Sequence, residues 1–126
     1  MPGTVPKKNS NRIEKVSSLI QHLIGQILLP YFKSGANGIV TVSKVDVSKD
    51  MRWAKIWISI VGGDDATVLN ILDKNIYEIQ GELNQEMRVK IVPKISFHLD
   101  TSGRYAAHIN EIFKKIEEEH EQSDSE

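Results

Sequence analysis

Apolar residues alternate through Ala54, Ile56, Ile58 and Ile60, with Trp53, Lys55, Trp57 and Ser59 in between. A period of two predicts a strand with one buried face. Another strand precedes it, and the short turn from Ser48 to Met51 makes the pair an antiparallel hairpin. In that first strand Val40 and Val42 share one phase and Val45 and Val47 the other. A bulge near Ser43 and Lys44, or cover on both faces, reconciles them. Upstream, Ile13, Val16, Leu19, Ile20, Leu23, Ile24 and Ile27 recur at steps of three and four, which predicts an amphipathic helix. Ser10 is placed to cap it at Asn11, and Pro30 to end it. Residues 34–38 read as a loop.

Downstream, Gly62 and Gly63 punctuate the hairpin, and Asp64 or Asp65 is placed to cap a further helix. Val68, Leu69, Leu72, Ile76, Ile79 and Leu83 give that helix its apolar stripe. Val89, Ile91, Ile95, Phe97 and Leu99 alternate as a third strand, and Pro93 inside it predicts an edge position or a bulge. The pattern does not say which strand it joins. Tyr105, Ile109, Ile112, Phe113 and Ile116 form a last amphipathic helix. The reading is an α+β fold with helices on one face of a three-stranded sheet. It divides into a flexible basic arm (1–9), one domain (10–116) and a disordered acidic tail (117–126).

The formal net charge of −1 hides segregation. Residues 1–63 carry nine Lys/Arg against three Asp/Glu, and residues 64–86 carry one against six. Such a layout predicts a basic face able to meet phosphate. Its candidates are Lys7, Lys8, Arg12 and Lys15 on the arm and first helix, with Lys44, Arg52, Lys55, Arg88, Lys90 and Lys94 on the strands and turns. Trp53 and Trp57 share a strand face and are able to stack on a base, although packing under a helix is the reading favoured for large aromatics.

Enzymatic signatures are scarce. The chain has no cysteine, which excludes disulfides, thiolate metal sites and cysteine nucleophiles. Its four histidines lack metal-ligand spacing, and no phosphate-loop, dinucleotide or nucleophile-elbow motif occurs. The spacing of His108 and Glu111 is common among surface residues, and Glu78, Glu82 and Glu86 read as a solvated helix face. No cofactor is expected. No apolar run is long enough for a membrane span or a secretory signal, so the expectation is a cytoplasmic chain without a membrane partner.

Four segments together resemble a known family. Arg12-Ile-x-x-Val16 with Ile20-Gln21 and Ile27-Leu28 is similar to its opening helix. Val40-Thr-Val-x-x-Val45-x-Val47-Ser-x-Asp50 with Ala54-Lys55-Ile56-x-Ile58-Ser59 is similar to its hairpin. Met87-Arg-Val-Lys-Ile-Val-Pro93-x-Ile95-x-Phe97 resembles its third strand, and Asp100-x-Ser102 followed by Ile109-x-x-Ile112 its C-terminal signature. The family is ribosome-binding factor A, and the resemblance covers roughly residues 11–113.

It implies a KH-like fold of the type II variant, ordered α-β-β-α-kink-α-β with a C-terminal helix. It implies a monomeric, non-catalytic factor that binds the immature small ribosomal subunit through its ribosomal RNA. Such a factor assists late maturation of that RNA, supports growth in the cold, and leaves before translation. The family replaces the usual Gly-x-x-Gly clamp with a helix-kink-helix, commonly alanine followed two residues later by glycine. Here the kink falls on Asn75, Ile76 and Tyr77, none of them small. The unbroken stripe predicts a mild interruption with Asn75 as the bend. It leaves Tyr77 either to stack on RNA or to cover the core, and covering the core is the reading favoured. The alternatives are a KH-like module for another single-stranded RNA, or a protein-interaction domain docking through residues 78–86.

Overall fold

The computed structural model describes residues 5–124, and the side chains of residues 12–104 and 108–118. Helix α1 (Val5–Leu28) leads through a 3-10 turn (Leu29–Phe32) into strand β1 (Ile39–Val47). Strand β2 (Trp53–Val61), helices α2 (Asp65–Lys74) and α3 (Ile76–Met87), strand β3 (Lys94–Leu99) and helix α4 (Ser102–Asp124) follow. The sheet order is β1-β2-β3. β1 pairs antiparallel with β2, and β3 pairs parallel with β2. The fold is the α+β order expected, and the open question of the third strand's neighbour is answered by β2.

The core is the alternation made solid. Ala54, Ile56, Ile58 and Ile60 are buried on one face of the central strand. Ile20, Ile24 and Ile27 of α1, Val68 and Leu72 of α2, and Ile79 and Leu83 of α3 cover them. Side chains at these steps form one helical stripe, which is why three amphipathic helices seal one sheet face. Leu19, at the margin of its stripe, stays 45% exposed.

The register shifts between Val42 and Lys44, so the bulge expected from the broken phase is present. It turns Val45 inward to the core. Gln21 of α1 donates to the Val42 carbonyl at 3.2 Å. Two glycines let backbones touch at the far end of the hairpin. Gly38 has φ +75°, and a Cβ there would strike the Val61 carbonyl. A Cβ on Gly63 would strike the Asn37 carbonyl.

Several boundaries differ from the expectation. α1 begins at Val5 rather than Asn11, because Pro6 in a first turn removes a donor that has no partner there anyway. Of the expected basic arm, residues 1–4 lie outside the described residues. α4 continues to Asp124, past Ile116 where the apolar periodicity ends, since Glu, Lys and Gln are good helix formers without burial. The third strand starts at Lys94, not near Val89. Arg88 is left-handed (φ 51°) and turns the chain away, leaving Val89 and Ile91 53% and 76% exposed.

Candidate nucleic-acid interface

The hairpin turn, the start of β3 and the N-terminal half of α1 gather at one end of the sheet. The turn is held by polar contacts. The Ser48 backbone N–H donates to the Trp53 carbonyl at 2.9 Å, and that of Met51 to the Ser48 carbonyl at 2.9 Å. Asp50 accepts from the Ser48 hydroxyl (2.6 Å) and the Arg52 backbone N–H (3.1 Å), and those two bonds hold its carboxyl below the usual range. The Lys94 backbone N–H donates to the Arg52 carbonyl at 2.8 Å, which docks β3 beside the turn. α1 runs antiparallel to β1, since Gly25 and Leu28 lie near Gly38 to Thr41 and Gln21 reaches Val42. Its exposed Arg12 and Lys15 therefore head for the same end.

A groove of about 560 Å³ lies between α3 and the segment leading into β3. Ile76, Tyr77, Gln80 and Asn84 form one wall; Val89, Lys90, Val92 and Lys94 form the other. Gln80 spans its floor. Its amide nitrogen donates to the Pro93 carbonyl at 3.1 Å, and its amide oxygen accepts the Ile95 N–H at 2.9 Å. One side chain thus satisfies two backbone groups on the edge of the sheet. Hydrophobic periodicity gives no sign of Gln80; only the edge position of β3 reveals it.

The kink is a single residue. Asn75 has φ −105° and ψ 9°, with helix resuming at Ile76. Its N–H is shared between the Ile71 and Leu72 carbonyls, both at 3.2 Å, and its side-chain amide donates back to Ile71 at 2.8 Å. The mild interruption at Asn75 is what the continuous stripe predicts. The Asn75 amide serves the bend, so it shapes the groove rather than reaching into it. Tyr77 is 90% exposed at the groove's rim. The favoured reading, that its ring covers the core, is therefore overturned, because α3 turns that position away from the sheet.

The proposed contacts do not form one patch. Tyr77, Lys90 and Lys94 line the groove, with Arg88 at the end of α3 and Arg52 beside the start of β3. Arg12 and Lys15 sit on α1, which packs over β1 at the edge of the sheet away from β3. Lys44 lies 3.4 Å from Asp46 on β1. Lys7 and Lys8 fall in α1, but their side chains lie outside the described residues. The favoured burial of both tryptophans also fails. Trp53 is 57% exposed and Trp57 half-buried, because α1, α2 and α3 pack on the other face of the sheet. Lys94 Nζ stands 5.8 Å from the Trp53 ring centroid.

Acidic groups collect elsewhere. Asp64 caps α2 through the Thr67 N–H (3.0 Å) and hydroxyl (2.7 Å). Asp65 forms a two-pronged pair with Arg104, whose Nη2 also donates to the Ile60 carbonyl at 2.7 Å. Asp100 accepts from the Ser102 hydroxyl (2.6 Å), the Ser43 hydroxyl (2.6 Å) and the Ser102 backbone N–H (2.9 Å), and its pKa drops to about 2. These carboxylates mark the end of the sheet remote from the hairpin turn. Glu78 and Glu82 point away from the groove, toward Tyr31 and the end of α1. Among the described residues no cluster of His, Asp or Glu is arranged to hold a metal, and no helix is long and apolar enough to cross a membrane.

Known proteins are similar to this chain in sequence and in fold. The family model for ribosome-binding factor A matches residues 12–113. The ribosome-binding factor A of Bdellovibrio bacteriovorus is 32% identical over 111 residues, covering 86% of this chain and 83% of that protein. The crystal structure of ribosome-binding factor A from Thermus thermophilus superposes with a TM-score of 0.60 at 14% identity, over 69% of this chain and 94% of that one. A homology model of the Thermus thermophilus factor, fitted into an electron cryomicroscopy map of a 30S–RbfA complex, gives 0.59 at 14% identity, over 68% and 91%. With the KH-like fold and the matched segment together, the chain belongs to the ribosome-binding factor A family.

Proposed function

We propose that this protein is a non-catalytic assembly factor of the cytoplasm. In this reading it binds the immature small ribosomal subunit through ribosomal RNA, as a monomer, and assists late maturation of that RNA. The RNA-binding unit is residues 10–116. Support comes from the family and from the fitting of the Thermus relative into a 30S complex. The observation that carries the reading is the groove, where an exposed Tyr77 faces Lys90 and Lys94. Lysines neutralise phosphates while an aromatic ring offers a base a stacking partner. Arg88 and Arg52 flank the groove, and Arg12 and Lys15 extend the positive end along α1. The test is sedimentation of the tagged full chain through a sucrose gradient of cell lysate. The expected result is co-sedimentation with free small subunits and absence from translating ribosomes; an even spread across polysomes would overturn the reading.

A further inference from the structure

The face of the sheet opposite the three helices shares only Lys94 with the groove and carries aromatic and basic residues of its own. Three helices cover the Ile56 face, so the residues alternating with that series point the other way. They are Trp53, Lys55, Trp57 and Ser59 on β2, facing Lys94, Ser96 and His98 on β3. From β1 the bulge adds Lys44 and Asp46, opposite Trp57 and Lys55. Without that shift in register, Val45 would point outward and Lys44 inward.

The two indoles are held differently. Trp57 is clamped from both sides, its Nε1 donating to Asp46 at 3.3 Å and its ring lying 5.2 Å from that of His98. Trp53 is mostly exposed, beside the Lys94 ammonium. Four residues of strand separate them, about 13 Å, and Lys55 stands between. Three ammonium groups, Lys44, Lys55 and Lys94, share the face with one carboxylate, Asp46; Asp100 at its far border is already tied to Ser43 and Ser102. Lys94 also lines the groove, so face and groove are continuous around the edge of β3.

We infer that this face binds a single-stranded segment of RNA by stacking bases on Trp53 and Trp57 while Lys44, Lys55 and Lys94 meet its phosphates. The inference rests on the RNA-binding reading above and adds a second surface to it. A strand leaving the groove past Lys94 would pass directly onto Trp53. The charge excess argues for a polyanion over an apolar protein partner, and an exposed Trp53 ring beside a half-buried Trp57 ring among ammonium groups suits unpaired bases better than a duplex.

The chain's two tryptophans are both on this face, so fluorescence reads it alone. In full-length protein carrying Trp53→Phe, Trp57 is the sole indole. Titration with a 12-residue oligouridylate should quench its emission saturably, in step with binding followed by anisotropy of a labelled oligonucleotide. Trp57→Leu in the wild-type chain should weaken that binding about 5- to 150-fold. Should Trp57→Leu fail to fold, Lys55→Glu, on an exposed side chain, should lower the salt slope by about 0.7 per lost phosphate contact. Oligonucleotide bound with Trp57 emission unchanged overturns the second surface and leaves the groove intact. Equal affinity in the Lys55→Glu protein overturns it as well. No oligonucleotide binding, with co-sedimentation on small subunits retained, removes this surface without touching the ribosomal reading.

Discussion

Arg88 is a charged residue in a conformation that glycine adopts at less cost. It closes α3 with φ 51°, its N–H reaching the Asn84 carbonyl at 3.4 Å. A left-handed residue with a Cβ costs roughly 1–2 kcal/mol, and glycine returns ~0.4–1 kcal/mol through added freedom of the unfolded chain. Arg88→Gly should therefore raise stability by about 0.5–1 kcal/mol in urea denaturation, while weakening small-subunit binding. A variant that gains stability and keeps full affinity would show that the side chain does no binding. Tyr77 offers the complementary case. At 90% exposure its removal should shift stability by less than about 0.5 kcal/mol. The same Tyr77→Ala change should cost ~1–3 kcal/mol of RNA affinity if the ring stacks on a base. Equal affinity would take the ring out of the RNA contact.

The legibility of this fold in its sequence varies by element. The hairpin was readable because its alternation is local, and even the bulge showed as a change of phase between Val42 and Val45. The cap of α2 and the bend at Asn75 were readable for the same reason: each rests on contacts within four residues. β3 was half readable. Its alternation extends back to Val89, yet the backbone of Arg88 and the N–H missing from Pro93 delay the strand to Lys94. The exposure of the tryptophans and the bridging by Gln80 depend on which face a second layer covers, which no local pattern reports. The groove was legible in part through Tyr77 and Lys90, but not its wall at Asn84. Asp100 shows how a short signature becomes a junction: it accepts the first N–H of α4 and fastens the bulge through Ser43. Its pKa falls from 3.8 to about 2, chiefly through the Ser102 hydroxyl and then the Ser43 hydroxyl. A carboxyl lowered in the folded state stabilises above its unfolded pKa. Asp100 should thus contribute fully above pH 4, with the contribution lost as pH falls toward 2. Comparing acid unfolding of the wild type with that of Asp100→Asn checks this; parallel pH profiles would contradict it.

At the scale of the molecule, charge is arranged by ends. Lysines and arginines from α1, the hairpin turn and the start of β3 share one end, while Asp64, Asp65 and Asp100 mark the other. A net charge of −1 is then no obstacle to approaching RNA, because only the facing end is felt within a Debye length. Charge reversal of Arg12 and Lys15 together should weaken small-subunit binding and flatten its salt dependence by roughly 0.7–0.9 log units per lost contact. Unchanged circular dichroism would accompany it, and an unchanged salt slope would take α1 out of the interface. The parallel pairing of β3 with β2 has a consequence for how the molecule comes into being. α1 and the hairpin make their mutual contacts from neighbouring sequence, whereas β3 must wait for α2 and α3 to bring it back beside β2. Closing so long a loop is slow relative to forming a hairpin. The chain is therefore expected to form its hairpin first and its groove last. Truncating Ile95, a buried anchor of β3, should accelerate unfolding and leave the folding rate nearly untouched, as late-formed contacts do in stopped-flow kinetics.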